Sequence, residues 1–506
     1  MADERSTPLN QGTNKWLQIT DGGKLQTWNG VDSPAPIIGD DPLVTKTELD
    51  DKASLSGTRV NVKDYGAVGD GETDDTDAIQ AAIDAINVGT VYLPEGVFLV
   101  EKIVSKANVT IQGCGWGTVI KLKDGDYGGG FFGVIEAKGT EESLLDGVVL
   151  RDFVIDGNKD NVTVTNANNT ENIELNYCNN PKVINVKSIN ATSEGVDMDY
   201  CVNGVVALCY FENTGGYGVH ISVDSSRCLT TDCFAYNCGH DNDRAGFDTF
   251  TGTYQNTITN CWAIDCNKGF DVRGTKQTIT NCFAINSTKY GYLCSAEGST
   301  LTALYEEASG GRALEVSDRS ISLNGFRSFD NESPESAILL SNNDITCFGI
   351  HVVNATANAI EITGQRITLN GVKLRTPGGN GIDVDSAGPV FLYGYDAVGV
   401  VGTSIVDSEG GLFIEGLRQG TNWKQWADGT QMLWADETID HDDVVTFEKS
   451  FVNNNYSISA YSRMSVPGFI GIQSRTSSSA RFRLYDQGGS PASSQNISYT
   501  VTGRWK

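Results

Sequence analysis

Six short strings share a layout that could gather reactive groups: GVDMD (195–199), GVHIS (218–222), GFDTF (246–250), GFDVR (269–273), GYLCS (291–295) and ALEVS (313–317). Their second and fourth positions are mostly apolar. In a strand, successive side chains point to opposite faces, so the third and fifth positions face away from that apolar side. Stacked strings then make an outward column of Asp197, His220, Asp248, Asp271, Leu293 and Glu315. Beside it run Asp199, Ser222, Phe250, Arg273, Ser295 and Ser317. Scission of a glycosidic bond asks for such groups, one carboxyl to protonate the leaving oxygen and another as base or nucleophile. Crowded carboxylates disfavour joint ionisation, which holds one protonated near neutral pH. Asp248, Asp271, His220 and Asp197 are the catalytic candidates. Asp248 and Asp271 sit one strand apart, about 5 Å. Asp197 and Asp248 sit two apart, about 10 Å, near the roughly 6.5–9.5 Å of inverting enzymes. His220 lies between them and could tune either or act itself. Arg273 suits a sugar carboxylate or hydroxyls, Phe250 offers a stacking face, and Asp199 borders both. The bland reading is a solvated ladder, since any outward face must be polar and Glu315, Glu361 and Asp383 recur further along.

The elements that position these groups show in the period. From Ile258 the equivalent residues are Ile279, Leu301, Ile321, Ile345 and Ile367, at steps of 21, 22, 20, 24 and 22. A period in the low twenties, with β-branched strands and Gly/Asn turns, predicts an all-β parallel solenoid, each coil stacked about 4.8 Å above the last. Cys209, Cys233, Cys261 and Cys282 fall in one column, expected as small buried thiols. Asn190, Asn213, Asn237, Asp265 and Asn286 fall in another, expected at a turn where stacked amides satisfy one another. The coil from Cys233 to Cys261 is the longest, and its excess falls at GHDNDRAG. His240, Asp241, Asp243 and Arg244 are therefore expected to overhang the column, where inserted loops set specificity.

The ends differ. Residues 1–57 are polar and turn-rich and read as an anchor and neck, with a short helix near Lys46–Ala53. A strand is expected at Val60–Val62. After it Thr73, Asp74 and Asp75 offer capping oxygens to a helix near 74–86, with Ala78, Ile79, Ala82, Ile83 and Ile86 on one apolar face. Residues 58–418 form the solenoid, and 419–506, with alternating strands and turns, a small antiparallel β-sandwich.

Among 506 residues, 57 glycines against 11 prolines favour many short strands and turns. A net charge of −27 argues against nucleic acid and anionic membrane as partners. The start, MADERSTPLN, lacks a basic and then apolar leader, so no signal peptide is expected, and no 18-residue apolar run is present to span a membrane. Synthesis in a reducing cytoplasm leaves the 12 cysteines expected as free thiols. Cys228, Cys233 and Cys238 are spaced unlike zinc ligands. No metal and no cofactor is expected.

The segment VKDYGAVGDGETDDTDAIQAAIDA resembles the opening of the pectate-lyase-like right-handed parallel β-helix superfamily, especially bacteriophage tailspikes and depolymerases. The resemblance implies a helix that caps the first coil, and a homotrimer on the virion tail bound through its N-terminus to tail or baseplate proteins. It implies a C-terminal region for trimerisation or carbohydrate binding, and a bacterial capsule or O-antigen as substrate. Hydrolysis by paired carboxylates is the leading expectation. A lyase acting by β-elimination, with His220 or a tyrosine as base, and a non-enzymatic receptor-binding spike are the alternatives. GVHIS lacks the glycine after histidine, and GFDVR lacks the Arg-X-Lys pattern, of the superfamily's pectin hydrolases, which puts pectin in doubt.

Overall fold

The computed structural model describes residues 58–415, apart from 129–131, 165–169, 242, 387, 409–411 and the side chains of 413–415. Outside that span it describes only the strands within 7–27 and 423–504. The expected helix at Lys46–Ala53 lies outside the described residues. The chain divides into two units, Met1–Gly57 and Thr58–Lys506.

In the first unit Thr7–Pro8, Trp16–Ile19 and Leu25–Thr27 pair as a three-stranded antiparallel sheet. The second is dominated by a right-handed parallel β-helix of about 14 turns. The coils from 180 to 237 turn at three recurring residues in the left-handed region. Asn180, Asn203 and Arg227 mark one corner, Asn185, Leu208 and Asp232 the next, and Asn190, Asn213 and Asn237 the third, all with φ of 52–58° apart from Asn190 at 50°. Asn and Asp tolerate this conformation best among residues with a side chain, which is why they recur at the period. The amides also bridge coils: Asn213 Nδ2 donates to Asn190 Oδ1 at 2.9 Å, and Asn281 Nδ2 to Asn260 Oδ1 at 2.9 Å.

The three corners leave three sheet faces. One is a 13-stranded parallel sheet that carries the candidate residues; the others are the two halves of a 22-stranded set, folded along the corner that includes Leu208. One half bears a threonine ladder, Thr231, Thr259, Thr280 and Thr302 in register. The other bears aromatic rings, Tyr210, Phe234, Trp262, Phe283 and Tyr305 in register. Inside, Phe247, Phe270 and Tyr292 stack at 5.3 and 4.9 Å between ring centres. Eleven of the 12 cysteines are buried thiols, with Cys209, Cys233, Cys261 and Cys282 in the interior as their column predicts.

The first strand, Thr58–Asn61, is followed by a 3-10 turn over Val62–Tyr65, so Val62 leaves the strand. Helix α1 (Thr76–Asp84) then buries Ile79, Ala82 and Ile83 on the expected face. Its cap differs from expectation. Asp75 precedes the helix but makes no capping bond; its carboxylate accepts from the Val68 and Gly69 amides at 2.5 and 2.9 Å. Asp74 takes the helix end instead, accepting from the Thr76 amide at 3.1 Å. Past the coil, the strands of 423–504 pair antiparallel in one four-stranded and one three-stranded sheet.

Candidate active site

Four neighbouring strands of the 13-stranded sheet build the site: β1 (Val196–Asp199), β2 (Val219–Ser222), β3 (Ala245–Thr249) and β4 (Lys268–Thr275). Each places apolar residues inward, Val196 and Met198 or Val219 and Ile221, so the residues between point out. Their register aligns Asp197 with His220, His220 with Asp248, and Asp248 with Asp271. The column continues to Leu293 and Glu315. Asp199 lies beside Ser222, and Arg273 beside Ser295.

Contacts within the column are more specific than the register alone. His220 Nδ1 lies 2.6 Å from Asp248 Oδ2, and Asp248 is wholly buried. When Nδ1–H donates to that carboxylate, Nε2 is left as the basic nitrogen of an oriented imidazole. Tyr217 stacks flat on the other side of the ring, 4.4 Å between centres and 7° between planes, and Phe250 meets it edge-on at 5.6 Å. Arg244 closes over Tyr217, its Nη1 donating to the phenol oxygen at 3.2 Å.

Asp271, also 0% exposed, is held by Arg273 through Nε at 2.9 Å and Nη2 at 2.7 Å, and by Lys268 Nζ at 3.3 Å. Arg273 in turn lies over the Phe250 ring at 5.4 Å. Of the expected pair of working carboxylates, Asp271 is therefore committed to ion pairs and Asp248 to the imidazole through Oδ2. Asp248 keeps a buried Oδ1 without a hydrogen-bond partner, as do Asp197 and Asp199 at Oδ1 and Glu171 and Glu174 at Oε2.

The inserted loop divides. Arg244 joins the cluster. Asp243 anchors the loop, accepting from Lys289 Nζ at 2.8 Å and Asn267 Nδ2 at 2.9 Å. Asp241 pairs with Lys159 at 2.5 Å. His240 goes to the corner ladder, with Nε2 2.8 Å from the Asp265 carbonyl oxygen. Sequence reasoning missed Tyr217, Lys268 and Glu194. All three immediately precede the glycine that opens a site string, in YGVH, KGFD and EGVD, and that shared place was the signal available.

Electrostatics split the site into an acidic and a basic half. Burial pushes the Asp248 carboxyl up to about 6 against the pull of His220. Burial lowers His220, and Asp248 beside it more than restores the loss, leaving the imidazole above its ordinary value. On the acidic side, burial and then Asp199, Glu194 and Glu171 raise Asp197 well above the carboxylate range. Burial and Glu194 push Glu171 up to about 9. Tyr217 is raised by burial and by Asp248. Among the described residues no group of three or more His, Cys, Asp or Glu is arranged to hold a metal ion.

Residues 59–293, which span the helix and all four site strands, match the family described as rhamnogalacturonase A/epimerase, pectate lyase-like. That match covers just under half of the chain. This β-helix protein is 49% identical over 113 residues to alginate lyase 7 of Azotobacter vinelandii, covering 20% of this chain and 13% of that protein. It is 32% identical over 210 residues to the pre-neck appendage protein of Bacillus phage B103, covering 40% of this chain and 22% of that protein. The chain thus spans less than a quarter of either curated relative. The fold is shared with the A-module of mannuronan C-5 epimerase AlgE4 from A. vinelandii, with a TM-score of 0.54 and 22% identity over 71% of this chain and 100% of that module.

Proposed function

We propose that this β-helix is a phage tail component that modifies a uronate-containing surface polysaccharide of the bacterial host, a capsule or O-antigen, by abstracting the proton at C5 of the uronate. One observation carries the reading: His220 is fixed through Nδ1 on a fully buried Asp248 at 2.6 Å, while Asp271 is closed off by Arg273 and Lys268. That arrangement suits an oriented base better than a hydrolytic carboxylate pair. The likeness to an alginate lyase and to a phage appendage protein supports the chemistry and the setting.

In the proposed reaction Nε2 of His220 takes the C5 proton, and the C–H electron pair moves into the sugar carboxylate. Arg244 and Arg273 stabilise that charge. Collapse of the pair expels the O4 leaving group, which takes its proton from Asp197; return of a proton to the opposite face gives epimerisation instead. Phe250 supplies an apolar wall. The N-terminal unit would attach to tail or baseplate proteins, and the C-terminal sheets would serve trimerisation or carbohydrate binding.

A second reading, hydrolysis by Asp197 and Asp199, is favoured by their unpartnered oxygens one coil from His220. Digestion of alginate and uronate-bearing capsules in D2O separates the two. Proton abstraction yields unsaturated uronate ends or deuterium at C5. New reducing ends with neither signature, retained in His220→Ala, overturn the first reading in favour of the second.

A further inference from the structure

On the β1 side of His220 the outward face is as one-sided as the half that holds the arginines. There the strand Thr170–Asn176 lies against β1, setting Glu174 beside Asp197 and Asn176 beside Asp199. Glu136 precedes Glu174 in the same column. Glu171 and Glu194 stand at the entry to those two strands, where the Asn172 amide donates to the Glu194 carbonyl at 3.0 Å. Six carboxyls thus gather on three neighbouring strands. Lys102 pairs with Glu136 at 3.5 Å and Lys138 with Glu174 at 3.9 Å. Among the described residues, the other four acids have no ion pair.

These acids are not ordinary surface charge. Glu171 is 3% and Glu174 5% exposed, each with an Oε2 that meets no partner, and Asp197 and Asp199 each keep an orphan Oδ1 beside them. Unpaired carboxyls are costly to bury, and stacking of the coil does not call for them on an outward face. Burial and mutual repulsion push Glu171 up to about 9 and Asp197 well above the carboxylate range, so both favour the protonated form. A protonated carboxyl donates and accepts, as a sugar hydroxyl does. A uronate carboxylate only accepts, and it would add charge that no free cation here offsets. The half with Arg244, Lys268 and Arg273 has the opposite preference. Coils repeat about every 4.8 Å, close to the length of one pyranose, so a glycan along the column sets successive sugars over successive coils. Asp197 then stands at the linkage between the two halves.

We propose that the acidic half is the subsite for the sugar linked to O4 of the uronate, and that it takes an uncharged sugar. The substrate is then a heteropolysaccharide whose uronates carry uncharged residues at O4, not a run of uronates. This rests on the proton abstraction proposed above and names the polymer on which it acts. When His220 takes the C5 proton and the C4–O4 bond breaks, O4 leaves with the neighbouring sugar and gains its proton from Asp197. The uronate keeps a C4–C5 double bond, and the new reducing end belongs to the uncharged sugar. A homopolymer of uronates would press a second carboxylate onto Glu174 and Asp199.

The test compares heparosan and deacylated gellan, whose uronates carry an uncharged sugar at O4, with polymannuronate. Each is given to the wild type and to the charge-reversed variants Glu174→Lys and, separately, Asp199→Lys. Turnover is read as new reducing ends and as deuterium gained at C5 in D2O, and circular dichroism confirms that each variant is folded. Asp199, being partly exposed, is the position more tolerant of change. The wild type favours at least one of the two heteropolymers over polymannuronate by about tenfold in kcat/KM, and each folded variant loses that margin. Equal rates, preference for polymannuronate, no turnover of either heteropolymer, or an unchanged ratio in the folded variants overturns the proposal. Heteropolymer cut at the same preference, with neither unsaturated ends nor deuterium, would end proton abstraction while upholding the uncharged-sugar subsite.

Discussion

The threonine face and the site face run up the same coils, at the same period, on the same backbone. On the first, Thr231, Thr259, Thr280 and Thr302 repeat a single side chain that is β-branched, neutral and at ease on a solvated strand. On the second, the four coils from β1 to β4 carry Asp197, His220, Asp248 and Asp271, an imidazole set among carboxyls. Uniformity is what the solenoid needs in order to stack; the departure from it buries charge at a cost in stability. The second face is therefore where we propose that function lies, and the contrast can be attacked from both sides.

The largest expected effect is on catalysis. His220→Ala should lower turnover about 10³-fold, within the range for general-base loss. Thr259→Ala, on the other face, should leave the rate of unsaturated-product or C5-deuterium formation unchanged. Asp248→Asn keeps the shape but leaves the imidazole without its carboxylate, and should lower the rate about 10²-fold with the fold retained by circular dichroism. Equal rates for all three variants would dissolve the distinction between the faces.

Stability should divide along the same line. Arg273→Ala strands a fully buried Asp271 with only Lys268 and should cost about 3 kcal/mol in urea unfolding. Arg366→Ala breaks an exposed pair with Asp344 and should cost less than about 1 kcal/mol. The pH dependence has a definite sign. Glu171 is raised to about 9 when folded, so the folded chain binds more protons than the unfolded one above the ordinary carboxylate range. Its contribution is fully present below about pH 4 and is lost as pH rises towards 9. The urea midpoint should fall between pH 5 and pH 9, and Glu171→Gln should flatten that slope. Thr259→Val, the smallest change, should shift stability by no more than about 0.5 kcal/mol.

Much of this was readable in the chain because a strand period of two and a coil period near 22 leave little freedom. Once GFDTF is aligned on GFDVR, Asp248 must neighbour Asp271, and a step of the same length sets Asn213 over Asn190. What sequence could not give is how side chains divide their partners. Arg273 could equally have reached outward, yet it folds back two residues to Asp271. Asp75 was placed correctly beside α1, but its carboxylate turned to the Val68–Gly69 amides, which a capping rule does not foresee. Tyr217 and Lys268 stand at the entry to a strand, where alternation has not yet begun and no face can be assigned.

The interior thiols have a consequence for how the molecule ages outside a cell. With eleven sulfhydryls sealed inside the coil and Cys114 alone at the surface, a maleimide label should attach once to the intact chain and many times only after the coil opens. In oxidising surroundings any opened coil would cross-link at random before it could rewind, so loss of structure becomes a one-way event and shelf life is set by the rate of opening.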